Sequence, residues 1–139
     1  MPIRFSGADT AWTCRNKRKI QAWLLHVIES HAKELGEVEV IFCSDAYLLE
    51  LNRLSLNHNY YTDIITFDYC AGDLISGDLF VSLDRVRENA KSGAVSFSNE
   101  LYRVLVHGVL HLCGWTDSSP SEKESMRSQE DHWLSEFPS

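Results

Sequence analysis

The sequence predicts an α+β protein, a single domain over residues 1–139 in which about five helices pack on a small mixed sheet of about four strands. Three observations carry this. A chain of 139 residues, 44% hydrophobic and 24% charged, suits one globular domain with its own core. Short strand-type segments interleave with longer segments of helical period in the order β-α-β-α-β-β-α-α-α. Stop and capping signals punctuate that order, among them Gly36, Gly93 and Ser119–Pro120.

Each element has its own warrant. Residues 3–5 form a short first strand. Ile20, Trp23, Leu24, Val27, Ile28, His31 and Leu35 make an apolar stripe at helical spacing, which predicts a helix over 16–35 stopped by Gly36. Residues 37–43 alternate polar and apolar side chains and predict a strand. Ser44 caps a second helix to about residue 56, with Asp45 favourable in its first turn. Residues 57–61 read as a loop, and 63–69 as a strand rich in Ile, Thr and Phe. Residues 71–77, with two glycines, read as a connection to a strand over 78–82. A helix over 83–91 ends at Gly93, and a longer one covers 98–113. Ser119-Pro120-Ser121-Glu122 has capping-box spacing and opens a last helix to about residue 133.

Composition limits the function. No apolar run approaches the ~20 residues that span a bilayer, and the first residues lack the apolar stretch of a secretion signal. A cytoplasmic protein without membrane contact is therefore expected. Cys14, Cys43, Cys70 and Cys113 are scattered with no CxxC pair, which argues for reduced, mostly buried thiols. The net charge is −7, yet residues 1–35 carry six basic and three acidic groups. An acidic total argues against indiscriminate DNA binding, which depends on neutralising phosphates. The basic run at 15–19 reads first as a solvated helix turn, and second as a docking patch.

The chemistry concentrates at His107-Gly108-Val109-Leu110-His111-Leu112-Cys113-Gly114-Trp115-Thr116-Asp117. Residues four apart on a helix share a face, so both imidazoles can reach one ion at ~2.0–2.1 Å, the zinc–nitrogen distance. The third ligand must come from another direction, and a turn at Gly114 brings Asp117. Three protein ligands leave one coordination position open, as in catalytic rather than structural zinc. The other reading is a pair of satisfied core histidines. Against it stands the cost of burying two unpaired imidazoles in so apolar a helix. His26, His31, His58 and His132 read as structural or solvated. Zinc peptidases with His-Glu-x-x-His use the glutamate as general base; here that position is Gly108, which moves no proton.

These residues resemble the YbeY family, the metal-dependent endoribonucleases of bacterial ribosomal RNA maturation. The family pattern is His-Gly-x-Leu-His-Leu-x-Gly-Tyr-Asp-His, and residues 107–114 agree at every specified position of its first eight. Thr62-Asp63-Ile64-Ile65-Thr66-Phe67 is similar to the family's Thr-Asp-Val-Leu-Ser-Phe, and Gly77-Asp78-Leu79 to its Gly-Asp-Ile strand. Two departures are present. Asp117 replaces the third histidine, with Trp115 and Thr116 in place of Tyr-Asp. The arginine that the family carries ahead of Thr62-Asp63 falls at Leu56; Arg53, about one helical turn earlier, is either its substitute on RNA phosphate or a solvated helix residue.

The resemblance implies a single-strand-specific endoribonuclease in ribosomal RNA maturation and ribosome quality control. It implies zinc (Zn2+) on His107, His111 and Asp117, with ribosomal components as partners. It also makes Asp63 a candidate base; from the residues alone, a carboxylate at a strand entry is more often structural. No catalytic residue is assigned. Two alternatives stay open: a zinc-dependent peptidase or amide hydrolase on the same ligands, and a non-enzymatic ribosome-assembly factor with a structural metal. The last requires a closed coordination sphere, with His132 or Cys113 as fourth ligand.

Overall fold

The computed structural model describes residues 2–56 and 62–138. Its elements run β1 (Ile3–Gly7), α1 (Lys17–Ser30), β2 (Glu34–Cys43), α2 (Asp45–Leu56), β3 (Ile64–Asp68), β4 (Leu74–Ser82), α3 (Leu83–Ser92), α4 (Phe97–Leu112) and α5 (Pro120–Ser135). The strands form one mixed sheet in the order β1-β2-β4-β3. The pairs β1–β2 and β2–β4 are parallel, and β3 runs antiparallel on β4. The α+β class, the four strands and the five helices are as the sequence predicts.

Alternation along the strands decides which face is covered. Ile3, Val38, Val40, Phe42, Ile75, Leu79 and Val81 turn into the main core, where they meet Trp23, Leu24 and Val27 of α1 and the apolar side chains of α4. Cys43 and Ile65 share a smaller cluster with Leu48 of α2, and Phe67 and Phe80 pack against it. Helix α4 lies at the centre. Leu101, Val104, Leu105, Val106, Gly108, Val109, Leu110 and Leu112 are all buried, which is burial on nearly every side. Gly108 makes this possible: a Cβ there would stand 2.8 Å from Ile64 Cδ1 and 3.0 Å from Leu79 Cδ2.

Three expectations need correction. Helix α1 ends at Ser30, not near residue 35. His31 closes it with its backbone N–H on Glu29 O and Ile28 O, and Ala32 then takes φ +57°. Gly36 therefore stands within β2 and does not stop a helix. Strand β4 begins at Leu74 rather than 78, because Glu34 and Leu35 pair with Leu74 and Ile75 before the register shifts. The expected loop over 57–61, with His58, lies outside the described residues.

Capping agrees with expectation. Ser44 Oγ accepts the N–H of Tyr47 at 3.1 Å. Ser119 and Glu122 form the reciprocal capping box, with Pro120 in the first turn. The cysteines are free; Cys14 and Cys43 are buried, and Cys70 and Cys113 are half-buried. Burial pushes the Cys14 thiol up to about 11 and that of Cys43 up to about 12, so both stay protonated.

Close packing at Gly108 yields a stability prediction. A Gly108→Glu change would force a carboxylate between Ile64 and Leu79, and overpacking plus an unpaired buried charge should cost about 3 kcal/mol or more. Urea unfolding of the two proteins measures it, and a difference below about 1 kcal/mol would contradict the packing described.

Candidate metal centre

Glu100, Arg103, His107 and His111 form a polar stripe along helix α4 at spacings of three and four. The stripe faces a cavity of ≈ 750 Å³ whose opposite wall is the edge strand β3, with Asp63 and Thr66, and whose far side is α5, with Arg127 and Glu130. His107 Nε2 and His111 Nε2 stand 3.0 Å apart. Asp117 Oδ2 lies 3.4 Å from His107 Nε2, and its Oδ1 lies 3.5 Å from His111 Nε2.

These three separations test the fit to a metal ion. A tetrahedral zinc with bonds of ~2.0–2.1 Å has donor–donor edges of about 3.3 Å. The observed edges of 3.0, 3.4 and 3.5 Å surround that value. Two imidazole nitrogens and one carboxylate oxygen also make a donor set suited to zinc. Among the described residues, His107, His111 and Asp117 are the one such group of three. Neither His132 nor Cys113 belongs to it. His132 is exposed, its ring 4.8 Å from that of Trp133.

A turn after α4 delivers Asp117. Gly114 takes φ +108°, a conformation that L side chains rarely adopt. The Gly114 N–H donates to His111 O and the Trp115 N–H to Leu110 O, both at 3.0 Å, which is the Schellman pattern. The far end of the turn is held by Glu122. Its Oε1 accepts the N–H of Ser118 at 2.9 Å and of Ser119 at 3.2 Å. Those bonds, with one from the Thr116 hydroxyl, hold the Glu122 carboxyl below its usual value.

Two residues that the sequence did not single out complete the centre. His107 Nδ1 donates to Glu130 Oε2 at 2.6 Å, since an ionised carboxylate only accepts. The bare Nε2 therefore points at the candidate ion position. A carboxylate behind a ligating imidazole is the usual support of such a centre. Arg103 Nη1 donates to Glu130 Oε1 at 2.9 Å, and its Nη2 to Asp131 Oδ1 at 2.6 Å. Glu130 is only 6% exposed. Burial alone would raise its pKa, but the hydrogen bonds from His107 and Arg103 outweigh it, so Glu130 is held below its usual value. Burial would lower the pKa of His107; its bond to Glu130 and the charges of Glu130, Asp117 and Asp63 instead hold it above its usual value. Glu130 shared a buried helical face with Met126 and Trp133, an unusual place for a carboxylate, and that was its one signal in the sequence.

The other candidates fall as follows. Asp63 lines the cavity, where burial raises its carboxyl above the usual range. Arg53 is exposed and pairs with Glu50 of its own helix at 2.6 and 2.7 Å; the α2 residue that lines the cavity is Asn52.

Known proteins resemble this one over most of its length. A family profile described as Endoribonuclease YbeY matches residues 8–138. A relative from Bacteroides thetaiotaomicron named Endoribonuclease YbeY is 52% identical over 118 residues, 85% of this chain and 86% of the relative. One of the same name from Parabacteroides distasonis is 45% identical over 138 residues, 99% of this chain and 97% of the relative. The solution structure of a Thermotoga maritima protein shares the fold, with a TM-score of 0.68 over 97% of this chain and 88% of that one, at 24% identity.

The Glu130–His107 bond carries a pH signature in metal-free protein. His107, raised above 6.5, contributes stability that is full below 6.5 and lost as pH rises through its folded-state value. Glu130, lowered below 4.5, contributes stability that is present above 4.5 and lost as pH falls through its folded-state value. The cost of Glu130→Gln should therefore peak between pH 4.5 and 6.5, at about 3 kcal/mol for a broken buried pair. Urea titrations with chelator across pH measure this, and a pH-independent cost would contradict it.

Proposed function

The chain belongs to the Endoribonuclease YbeY family, and on that premise we propose that the α4–α5 cavity is the site of a metal-dependent, single-strand-specific endoribonuclease serving ribosomal RNA maturation and ribosome quality control. The protein is an endoribonuclease, and RNA is its substrate. The observation that supports the cavity as its site is the convergence of His107, His111 and Asp117 at the edges of a zinc-sized tetrahedron.

In this reading His107, His111 and Asp117 hold one zinc ion, which supplies Lewis acidity for a phosphoryl oxygen or activation of water. The remaining work belongs to the protein. Glu130 holds the proton on His107 Nδ1 and so orients the Nε2 lone pair. Arg103 fixes Glu130 and keeps it ionised. Arg127, exposed at the cavity wall, faces the phosphate backbone. Asp63, on the β3 wall, has its protonated form favoured by burial and is a group able to hold or release a proton during the reaction. Arg53 rests on family resemblance alone, since its guanidinium is engaged by Glu50. The single-strand preference rests on the family resemblance, and the cavity lined by β3 and α4 is where we propose the strand lies.

The cavity weakens the peptidase alternative. Position 108 packs against Ile64 and Leu79 of the sheet, so it has no room for the catalytic glutamate. The assembly-factor reading needs a fourth protein ligand, and neither His132 nor Cys113 joins the group of three. We also propose that ribosomal components are its partners in the cytoplasm, with no role for DNA. No described helix is long and apolar enough to cross a membrane.

The test is cleavage of a single-stranded RNA by the purified protein with and without chelator, beside the His111→Ala and Arg53→Ala variants. Chelation and His111→Ala should each reduce cleavage at least 100-fold, the scale of losing a first ligand or its support. Undiminished cleavage by His111→Ala would contradict the assignment. Unchanged cleavage by Arg53→Ala would remove Arg53 from the RNA contact.

A further inference from the structure

We propose that His31, at the end of α1, is a positioning residue for Asp117 and acts through Trp115; this rests on the reading of Asp117 as a metal ligand. His31 Nδ1 lies 2.7 Å from Val27 O. A carbonyl oxygen only accepts, so Nδ1 carries the proton and Nε2 is bare. That bare nitrogen accepts the indole N–H of Trp115 at 2.8 Å, across 84 residues of sequence. The two rings meet edge to face, at an interplanar angle of 89°. Both ring nitrogens of His31 are used, and its own backbone N–H caps α1 on Glu29 O and Ile28 O. The imidazole is thus held in one orientation and one tautomer.

Trp115 is pinned twice, by its backbone N–H on Leu110 O and by its indole on His31. Three residues further on, Glu122 takes the N–H of Ser118 and then of Ser119. Between these anchors lie only Thr116 and Asp117. The Asp117 carboxylate reaches both imidazoles at 3.4 and 3.5 Å from this doubly held span. Glu122 belongs to the helix that follows the turn. His31 is the anchor that ties the turn to a separate element, α1. Indole N–H is a donor with no acceptor capacity, so the bond to His31 Nε2 fixes the orientation of a ring that also packs against the core. Removing that acceptor frees the first half of the span, and the carboxylate must then be ordered when the ion binds.

Zinc affinity tests this, measured by competition with a chromophoric chelator on intact, folded protein. The dissociation constant should rise on the order of tenfold in His31→Ala and in Trp115→Phe, the low end for supporting groups around a metal. His31→Gln places an amide oxygen near the position of Nε2 and should restore affinity to within about twofold. Trp115→Phe keeps an aromatic ring against the core, so the result does not depend on His31→Ala folding well. Asp117→Ala separates the two claims. If it weakens zinc about a hundredfold while His31→Ala and Trp115→Phe bind like the natural protein, the role of His31 is overturned and Asp117 remains a ligand. If Asp117→Ala itself binds like the natural protein, the ligand reading fails and the role of His31 falls with it. A loss in His31→Ala that His31→Gln does not restore, with Trp115→Phe unaffected, marks a general loosening of α1 and also overturns the inference.

Discussion

Everything in this molecule is arranged around the burial of α4. Eight of its residues are buried, and they face the sheet and the neighbouring helices. Beyond its first turns, a helix so enclosed keeps its charged and imidazole side chains along one stripe, and Glu100, Arg103, His107 and His111 occupy it. Gly108 sets how closely the helix approaches Ile64 and Leu79, and hence how deep His107 sits against β3. The same closeness that completes the core removes any space for a side chain beside the first histidine. Packing therefore shapes the chemistry here by reserving position 108 for glycine.

The centre is built in layers of decreasing directness. His107 and His111 come from the helix. Asp117 comes from a turn whose reversal needs Gly114 at φ +108°. Glu130, from α5, fixes the tautomer of His107, and Arg103 holds Glu130. Arg103 offsets the charge of the Glu130 carboxylate and keeps it ionised. Three carboxylates, Asp63, Asp117 and Glu130, stand around His107 and explain why its proton affinity rises despite burial. A metal ion held there would compete with the proton only at Nε2, because Nδ1 keeps its proton for Glu130.

Much of this was legible in the residues. The order of elements, the capping box at Ser119 and the convergence of His107, His111 and Asp117 were legible from periodicity and spacing, and the family followed from the blocks at 62–67, 77–79 and 107–114. The misses have common physical causes. The overlong α1 and the shortened β4 are one error, since both omit the pairing of Glu34 and Leu35 with Leu74 and Ile75. Leu35 falls on the apolar stripe of α1 by spacing alone, and only a contact forty residues away shows that it is strand. Glu130 and Arg103 were hidden because a carboxylate or guanidinium on a helix reads as solvated until its partner on another helix is known. The link from His31 to Trp115 is hidden for the same reason, across a still longer separation. Local rules find elements and ligands within one segment; the groups that hold those ligands come from elsewhere in the fold.

The central claim is that His107, His111 and Asp117 together hold one zinc ion. X-ray absorption at the zinc edge on the purified, zinc-loaded protein addresses it directly. Two imidazole nitrogens and at least one further oxygen are expected at ~2.0–2.2 Å, with no sulfur bound to the ion, and with loss of one light ligand in Asp117→Ala. A sulfur scatterer at ~2.3 Å, or a spectrum unchanged by Asp117→Ala, would contradict it.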